Sequence, residues 1–458
     1  MISNKRGMRL MVLYVIIFAL TSTFFMWYSI DHLRMRQIPH QSMTQIQPSC
    51  NCTTCSKDKN LGNAKSDFQS VREVAKSLKV VTNEIDYFTQ SKSTMFDRSL
   101  SIYDPEDQNI LQTLFPIDEN GVETYSKNRL LNQLNVRLKH AEPKLILVNF
   151  YDNHLTASAI HNNVCPVDNC QLTSDKKQFR NADAVISHQI PKRIRRPVQK
   201  PDQIWIYHQL ESPATIPYIT GNKGSVNWTA TFRSDSVLPT PYGLFIRHDH
   251  VNEMPLKADK NYAFGKTKIA AWFVSNCGGF NGRMAYVKEL QKYIKIDIYG
   301  FCGPLTCKRG LGGDKCLEIL RSDYKFYLSF ENSNCRDYIT EKFFHNALQH
   351  DVIPIVMGAH PDDYKRVAPP NSFIHVDEFN SPRQLAEYMH ILDNNDDLYN
   401  EYFRWKGTGE FINTKFVCRV CAMVQIASIF PMWYRDISQW WTEEQCVRPD
   451  QFKWSTWR

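Results

Sequence analysis

The run Phe326-Tyr327-Leu328-Ser329-Phe330-Glu331-Asn332-Ser333, followed by Asp337-Tyr338-Ile339-Thr340-Glu341-Lys342, concentrates residues able to do chemistry. Its apolar first half reads as a buried strand ending at Phe330, then a polar loop, then a helix over Ile339 to Leu348. Ligands of open α/β sheets sit at the carboxyl ends of strands, and a helix beginning there can turn its N-terminus toward an anion. Tyr338, Glu341 and Lys342 fall within one turn of that helix start. Glu341 also fits a plain first-turn acid favoured by the helix dipole, so spacing alone leaves both readings open. The chain contains no G-x-G-x-x-G, no G-x-x-x-x-G-K-[ST] and no Asp-x-Asp. An Asp-x-Asp pair is one way to hold Mg²⁺ or Mn²⁺ against a diphosphate with hard oxygen ligands. Without it, diphosphate charge falls to Arg, Lys and helix N-termini.

Positioning such groups needs a scaffold, and the pattern from Lys144 onward supplies one. Leu145 to Phe150, Ala184 to Ser187 and Ile204 to Tyr207 read as buried parallel strands. A second set runs Ile269 to Val274, Ile296 to Gly300, Phe326 to Phe330 and Ile353 to Met357, with helices expected over Arg283 to Ile294 and Ile339 to Leu348. Alternating strands and helices imply parallel sheets covered on both faces. The polar stretch Val251 to Lys266 serves as a linker, giving an α/β protein of two Rossmann-like domains facing a cleft. No internal sequence repeat is visible.

The 458 residues suffice for two domains with full cores plus an appendage. The net charge of +8 is mild, and the densest basic run, Lys192 to Arg196, lacks interleaved aromatics. It reads as a solvated loop, and no nucleic-acid partner is expected. Leu10 to Ile30 is an uncharged stretch of 21 residues; at ~1.5 Å per residue it spans ~31 Å, the thickness of a bilayer's hydrocarbon core. Lys5, Arg6 and Arg9 precede it and favour a cytoplasmic N-terminus. The expected order is a cytoplasmic tail (1–9), a signal anchor (10–30), a lumenal stem (31–142), a first domain (143–262) and a second domain with a cysteine-rich end (263–458). Within the stem, Val71, Val74, Leu78, Val81, Ile85 and Phe88 share one helical stripe. That stripe suits either a coiled coil pairing two chains through residues 71–88 or a helix lying on its own catalytic domain. Thirteen cysteines and the sequons at Asn51 and Asn227 agree with an oxidising, secretory address. Cys418 and Cys421 form a C-x-x-C for which disulfides are a better account than zinc; Cys165 and Cys170 are spaced to close a small loop, and Cys302, Cys307 and Cys316 are further candidates.

The long run FYLSFENSNCRDYITEKFFHNALQHDVIPIVMG resembles the donor-site signature of the α1,3-fucosyltransferase family, glycosyltransferase family 10. The likeness continues through AWFVSN (271–276), IDIYG (296–300) and FIHVDEF (373–379), and upstream through ESP (211–213), NWT (227–229), FRSDS (232–236) and PYG (241–243). WKGTGEF and CRVC near the end are similar to invertebrate members. The resemblance implies a GT-B fold, GDP-fucose as donor, a glycan or glycoprotein acceptor, inversion at the anomeric carbon, and a Golgi membrane location. It places Arg283, Tyr338, Glu341 and Lys342 in the donor site, with Glu341 toward the ribose and Tyr338 toward the nucleotide or its phosphates. Glu331 and Asn332 would orient the fucose. Glu211, in the ESP motif, would be the single base that inversion requires; otherwise it is a surface glutamate. No metal is required on this reading, with Mg²⁺ or Mn²⁺ at most stimulating. The insertion Cys302 to Cys316 and the loop Thr215 to Val226 differ from vertebrate Lewis-type members, so acceptor choice is the open point. The core GlcNAc of N-glycans is the leading expectation, antennal LacNAc or LacdiNAc the runner-up, and a catalytically silent glycan-binding protein the remote alternative.

Overall fold

The computed structural model describes residues 102–448 together with 454 and 457, except 104–108, 116–125, 151–154, 190–201, 220–223, 249–254, 256 and 307–312. The expected anchor 10–30, the helix 71–88 and Asn51 lie outside the described residues. Among the described residues, no helix is long and apolar enough to cross a membrane.

Two five-stranded sheets organise the chain. The first comprises β1 (Lys144–Val148), β2 (Cys170–Thr173), β3 (Ala184–Ser187), β4 (Ile204–Gln209) and β5 (Trp228–Thr231). The second comprises β6 (Lys268–Phe273), β7 (Ile296–Tyr299), β8 (Tyr324–Phe330), β9 (Ile353–Met357) and β10 (Ile374–His375). Every pairing within both is parallel. The spatial orders are β2-β1-β3-β4-β5 and β7-β6-β8-β9-β10, the same topology twice. This is a doubly wound, Rossmann-like arrangement whose switch points lie between β1 and β3 and between β6 and β8. Both β4 and β8 are buried along their whole length. Burial on both faces is why Ile204 to Tyr207 and Phe326 to Leu328 read as continuous apolar runs rather than alternating ones.

The second sheet's core is local, with the helices Arg283–Leu290 and Pro382–Asp393 packing on strands of the same sequence region. The first sheet's core is not. Val417, Val420 and Val424 of the helix Phe416–Gln425 join it from the far end of the chain, and Ile110 and Leu114 join it from the other side. Two disulfides, Cys165–Cys418 and Cys170–Cys421, fasten that helix to the first lobe. Positions 418 and 421 are three apart and so share a helical face. The C-x-x-C is therefore a pair of structural bridges, and Cys165 and Cys170 do not close a loop on each other. Two expected boundaries change with this packing. The segment from Asn109 belongs to the first lobe rather than to a stem, and the helix 416–425 completes the first lobe rather than the second. Further bridges join Cys277 to Cys302 and Cys335 to Cys446, and Cys316 is disulfide-bonded as well.

The helix expected over Ile339 to Leu348 takes another form. Lys342–Ala347 is a single π-helical stretch that tightens into a 3-10 turn at Leu348–His350 and ends at Asp351 in the left-handed region, φ 55°. π-Turns frequently mark functional sites. Here Lys342 N–H reaches Thr340 Oγ1 (3.5 Å) while its side chain turns back to the buried Glu331 (3.0 Å). A stretch this short contributes little macrodipole, so anion-attracting charge at this end comes from the lysine.

Candidate functional site

Arg283 opens its helix directly after Gly282, which adopts φ 69°. Its Nη1 donates to the carbonyl of Phe330 (2.9 Å), the last residue of β8, and its Nη2 to the carbonyl of Asn276 (2.6 Å), just past β6. The guanidinium thus sits at the switch point of the second sheet. Its buried Nε has no partner. A Cβ on Gly279 would lie 2.9 Å from that Nε, so the loop can pass here only as glycine. Burial lowers the Arg283 pKa, but a guanidinium keeps its charge at neutral pH.

Below it, Glu331 is fully buried. Its carboxylate accepts from the Thr340 backbone N–H (2.8 Å), the Thr340 hydroxyl (2.9 Å) and the Lys342 ammonium (3.0 Å). Gly358 packs so tightly on it that a Cβ there would meet Glu331 Cγ at 2.7 Å. Glu331 is therefore not an open contact for a sugar, as the sequence suggested. It is the counter-charge that seats Lys342. Burial pushes the Glu331 carboxyl up against the pull of Lys342. Burial alone would pull the Lys342 ammonium down, but Glu331 and Glu341 outweigh it and hold it above its ordinary value. Lys342 Nζ also reaches Thr340 Oγ1 (2.8 Å) and Glu341 Oε1 (3.3 Å). Burial favours the neutral form of Glu341, yet Lys342 and Thr340 keep its carboxyl below the usual range. Its half-exposed side chain is open to a ligand. Asn332 is half-buried, its carbonyl accepting from Phe280 N–H (2.7 Å) and its Oδ1 from the Ser333 hydroxyl (3.1 Å).

The first lobe meets this loop at the carboxyl end of β4. Gln209 Oε1 accepts the backbone N–H groups of Leu210 and Glu211 (3.0 and 2.9 Å) and shapes the turn that exposes Glu211. The buried Tyr338 donates its hydroxyl to Glu211 Oε2 (3.2 Å). Alongside, the hydroxyls of Ser333 and Ser212 bond at 2.7 Å, Tyr242 donates to the Leu210 carbonyl (2.8 Å), and Ser234 N–H donates to Asp337 (2.8 Å). Asp337 sits at φ 61°. Arg366 contacts it, and Asp363, itself paired bidentately with Arg336 (2.9 and 2.7 Å), accepts its backbone N–H.

Of the residues singled out from sequence, Glu211, Glu331, Asn332, Tyr338 and Glu341 lie in loops after strand carboxyl ends, and Arg283 and Lys342 open the helical stretches that follow such loops. Thr340, Ser212, Ser333 and Tyr242 were given no role. Thr340 lies inside the signature run, but nothing in its position betrays that it links Glu331 to Lys342. Asn227 is tied into the fold: its Oδ1 accepts from Trp205 N–H (2.9 Å) and its Nδ2 donates to the Met432 carbonyl (3.2 Å).

Two parallel Rossmann-like sheets, with cations at one switch point and an exposed carboxylate from the other lobe beside them, define a two-lobed α/β protein with a charged crevice. The family model described as glycosyltransferase family 10 (fucosyltransferase) C-term matches residues 263–440, and that described as fucosyltransferase, N-terminal, matches 141–243. The chain is 53 % identical over 284 residues to the glycoprotein 3-alpha-L-fucosyltransferase A of Drosophila melanogaster, covering 60 % of this chain and 55 % of that one. It is 36 % identical to an alpha-(1,3)-fucosyltransferase of Caenorhabditis elegans, over 64 % of this chain and 65 % of that one. It is 37 % identical to the human 4-galactosyl-N-acetylglucosaminide 3-alpha-L-fucosyltransferase, over 60 % and 75 %. A crystal structure of an alpha1,3-fucosyltransferase with GDP-fucose aligns at a TM-score of 0.42 and 17 % identity, over 63 % of this chain and 91 % of that one, a likeness too slight to carry an argument. The chain belongs to the glycosyltransferase family 10 fucosyltransferases. Its matched region spans between about half and two thirds of the fly and nematode relatives.

Proposed function

We propose that the protein is an inverting α1,3-fucosyltransferase of the GT-B architecture that moves L-fucose from GDP-fucose to a GlcNAc of a glycan. The observation that carries this reading is the meeting of Glu211 with the loop that bears Lys342. A proton acceptor from one lobe and cations from the other converge on one crevice. On this reading the acceptor O3 attacks C1 of fucose, the C1–O bond to GDP breaks, and Glu211 takes the hydroxyl proton. Arg283 and Lys342 meet the charge that builds on the departing diphosphate, an electrostatic contribution present before reaction begins. Glu341 faces the same space with a carboxylate suited to ribose hydroxyls.

The core GlcNAc of N-glycans is the acceptor we favour. The relative named for glycoprotein fucosylation shares 53 % of aligned residues, the human one named for a 4-galactosyl-N-acetylglucosaminide shares 37 %. Antennal GlcNAc is the second reading. The Leu10 to Ile30 span supports a type II anchor in the Golgi membrane with both lobes lumenal. Incubation with GDP-fucose and a panel of core chitobiose glycopeptide, LacNAc and LacdiNAc, followed by GDP release, tests the reading. Turnover with the glycopeptide is expected; turnover confined to the antennal sugars moves the acceptor. No GDP release with any acceptor overturns the catalytic reading in favour of a glycan-binding role.

A further inference from the structure

Tyr338 does not point its hydroxyl into empty crevice. It lies in the donor-side loop yet donates to Glu211 Oε2 at 3.2 Å, across the junction of the lobes. Among the described residues this is the hydrogen bond that the structure assigns to the Glu211 carboxylate, and the glutamate is otherwise exposed. A free exposed glutamate samples many rotamers, and one bond to a fixed donor selects among them.

The donor is fixed. The Tyr338 ring is 2 % exposed, packs against Phe232 at 5.0 Å between centroids, and shares a buried cluster with Tyr207 and Trp441. Its backbone follows Asp337, held at φ 61° by Arg366, Asp363 and Ser234, in a conformation that favours glycine. The carboxylate's own loop is tied to the donor-side loop once more, by Ser333 to Ser212 (2.7 Å), and is braced by Tyr242 to the Leu210 carbonyl (2.8 Å). Burial, with Glu331 and Glu211 nearby, raises the phenol's pKa well above its ordinary value, so it remains a donor.

We infer that Tyr338 is the positioning residue of the base: its hydroxyl holds one oxygen of Glu211 and leaves the other to take the acceptor's proton. The inference rests on the fucosyltransferase reading above and assigns Tyr338 a different duty from the nucleotide contact that sequence resemblance implied. Because Tyr338 and Lys342 share one loop, the loop that receives the donor also aims the base.

The test is a double-mutant cycle with Tyr338→Phe and Glu211→Gln in the full chain. Tyr338→Phe alone should lower kcat about 10- to 100-fold, the worth of a hydrogen bond to a charged group, with GDP affinity by calorimetry unchanged. In the Glu211→Gln background the same change should cost little more, because the group it positions can no longer act. Additive losses, or weakened GDP binding with kcat kept, would overturn the inference and return Tyr338 to the nucleotide. A second cycle with Tyr338→Phe and Glu211→Ala, which removes the acceptor, is read by thermal denaturation and needs no turnover: the two Tm shifts should be non-additive, and strict additivity would show that no bond joins the pair. If wild type transfers no fucose while the thermal cycle still couples, the contact stands and the catalytic reading is what fails.

Discussion

The two lobes share a strand order but are completed by different means. The second is assembled from one stretch of sequence, and beneath its crevice lies a buried ionic cluster of Glu331, Lys342 and Thr340. The first borrows its covering helix from residues 416–425 and fastens it covalently. The charge beneath the second lobe's crevice can also meet a ligand; the bridges that fasten the first lobe's covering helix cannot. On the proposed function this divides the labour: diphosphate charge is met in the second lobe and the proton is taken by the first.

Glu211→Gln tests that division most severely. General-base catalysis is worth roughly 10²–10⁴-fold, so kcat should fall by about that factor while GDP-fucose affinity, measured by calorimetry, holds. Wild-type turnover would mean that the first lobe does not supply the base, and Asp235 would be the next carboxylate to examine.

Removing both bridges of the first lobe comes next. The bridge Cys165–Cys418 closes a separation of 253 residues, worth on the order of 5 kcal/mol in the chain-entropy account. The second bridge then closes only the few residues between neighbouring cysteines and adds about half as much. Ser at all four positions should therefore lower the denaturation midpoint steeply, and Ser at 170 and 421 alone by about a third as much. Equal losses from the two experiments would contradict this ranking.

Lys342→Ala should reduce donor affinity and turnover together. It also strands Glu331 in the interior, a loss of about 3–5 kcal/mol when one partner of a buried pair is removed. Adding Glu331→Gln should recover much of that stability in a thermal melt without recovering donor binding. If both return, Lys342 is structural only.

The smallest effect concerns acid. Burial would raise the Asp351 carboxyl, but hydrogen bonds from Lys406 and Lys260 hold it below its ordinary value. A depressed folded-state pKa contributes stability above the unfolded value, and that contribution fades as pH falls through the folded one. The Tm difference between wild type and Asp351→Asn should thus be largest near neutrality and narrow below about pH 4. Asn tolerates the left-handed backbone at this position, so strain does not confound the comparison. A gap independent of pH would show that the aspartate acts by shape.

Much of this was legible in the residues. Runs such as Phe326 to Leu328 and Ile204 to Tyr207 must be strands buried on both faces, because no half-exposed strand would be apolar throughout. The crevice loops followed from where those strands end. What sequence withheld were relations across distance. Nothing near Cys165 indicates a partner 253 residues away, and short spacing made Cys170 look a natural mate. Glu331 looked like a ligand contact because its position is right; its burial under Gly358 depends on a neighbouring strand. The regular helix expected from Ile339 is a π-turn, at whose start Thr340 and Lys342 both reach one buried carboxylate, a relation that spacing does not show. The doubled strand order left no sequence repeat, since topology constrains which positions are apolar and not which residues fill them.

The helix Phe416–Gln425 also sets a schedule. A ribosome delivers the chain from its N-terminus, so on the proposed lumenal location Cys165 and Cys170 enter an oxidising compartment some 250 residues before their mates. During that interval the first sheet lacks its cover while the second can already close, inverting the usual rule that N-terminal domains finish first. A premature stop between residues 232 and 416 would leave the earlier lobe permanently open, its thiols without their mates and its apolar face bare, although every strand of that lobe had been made.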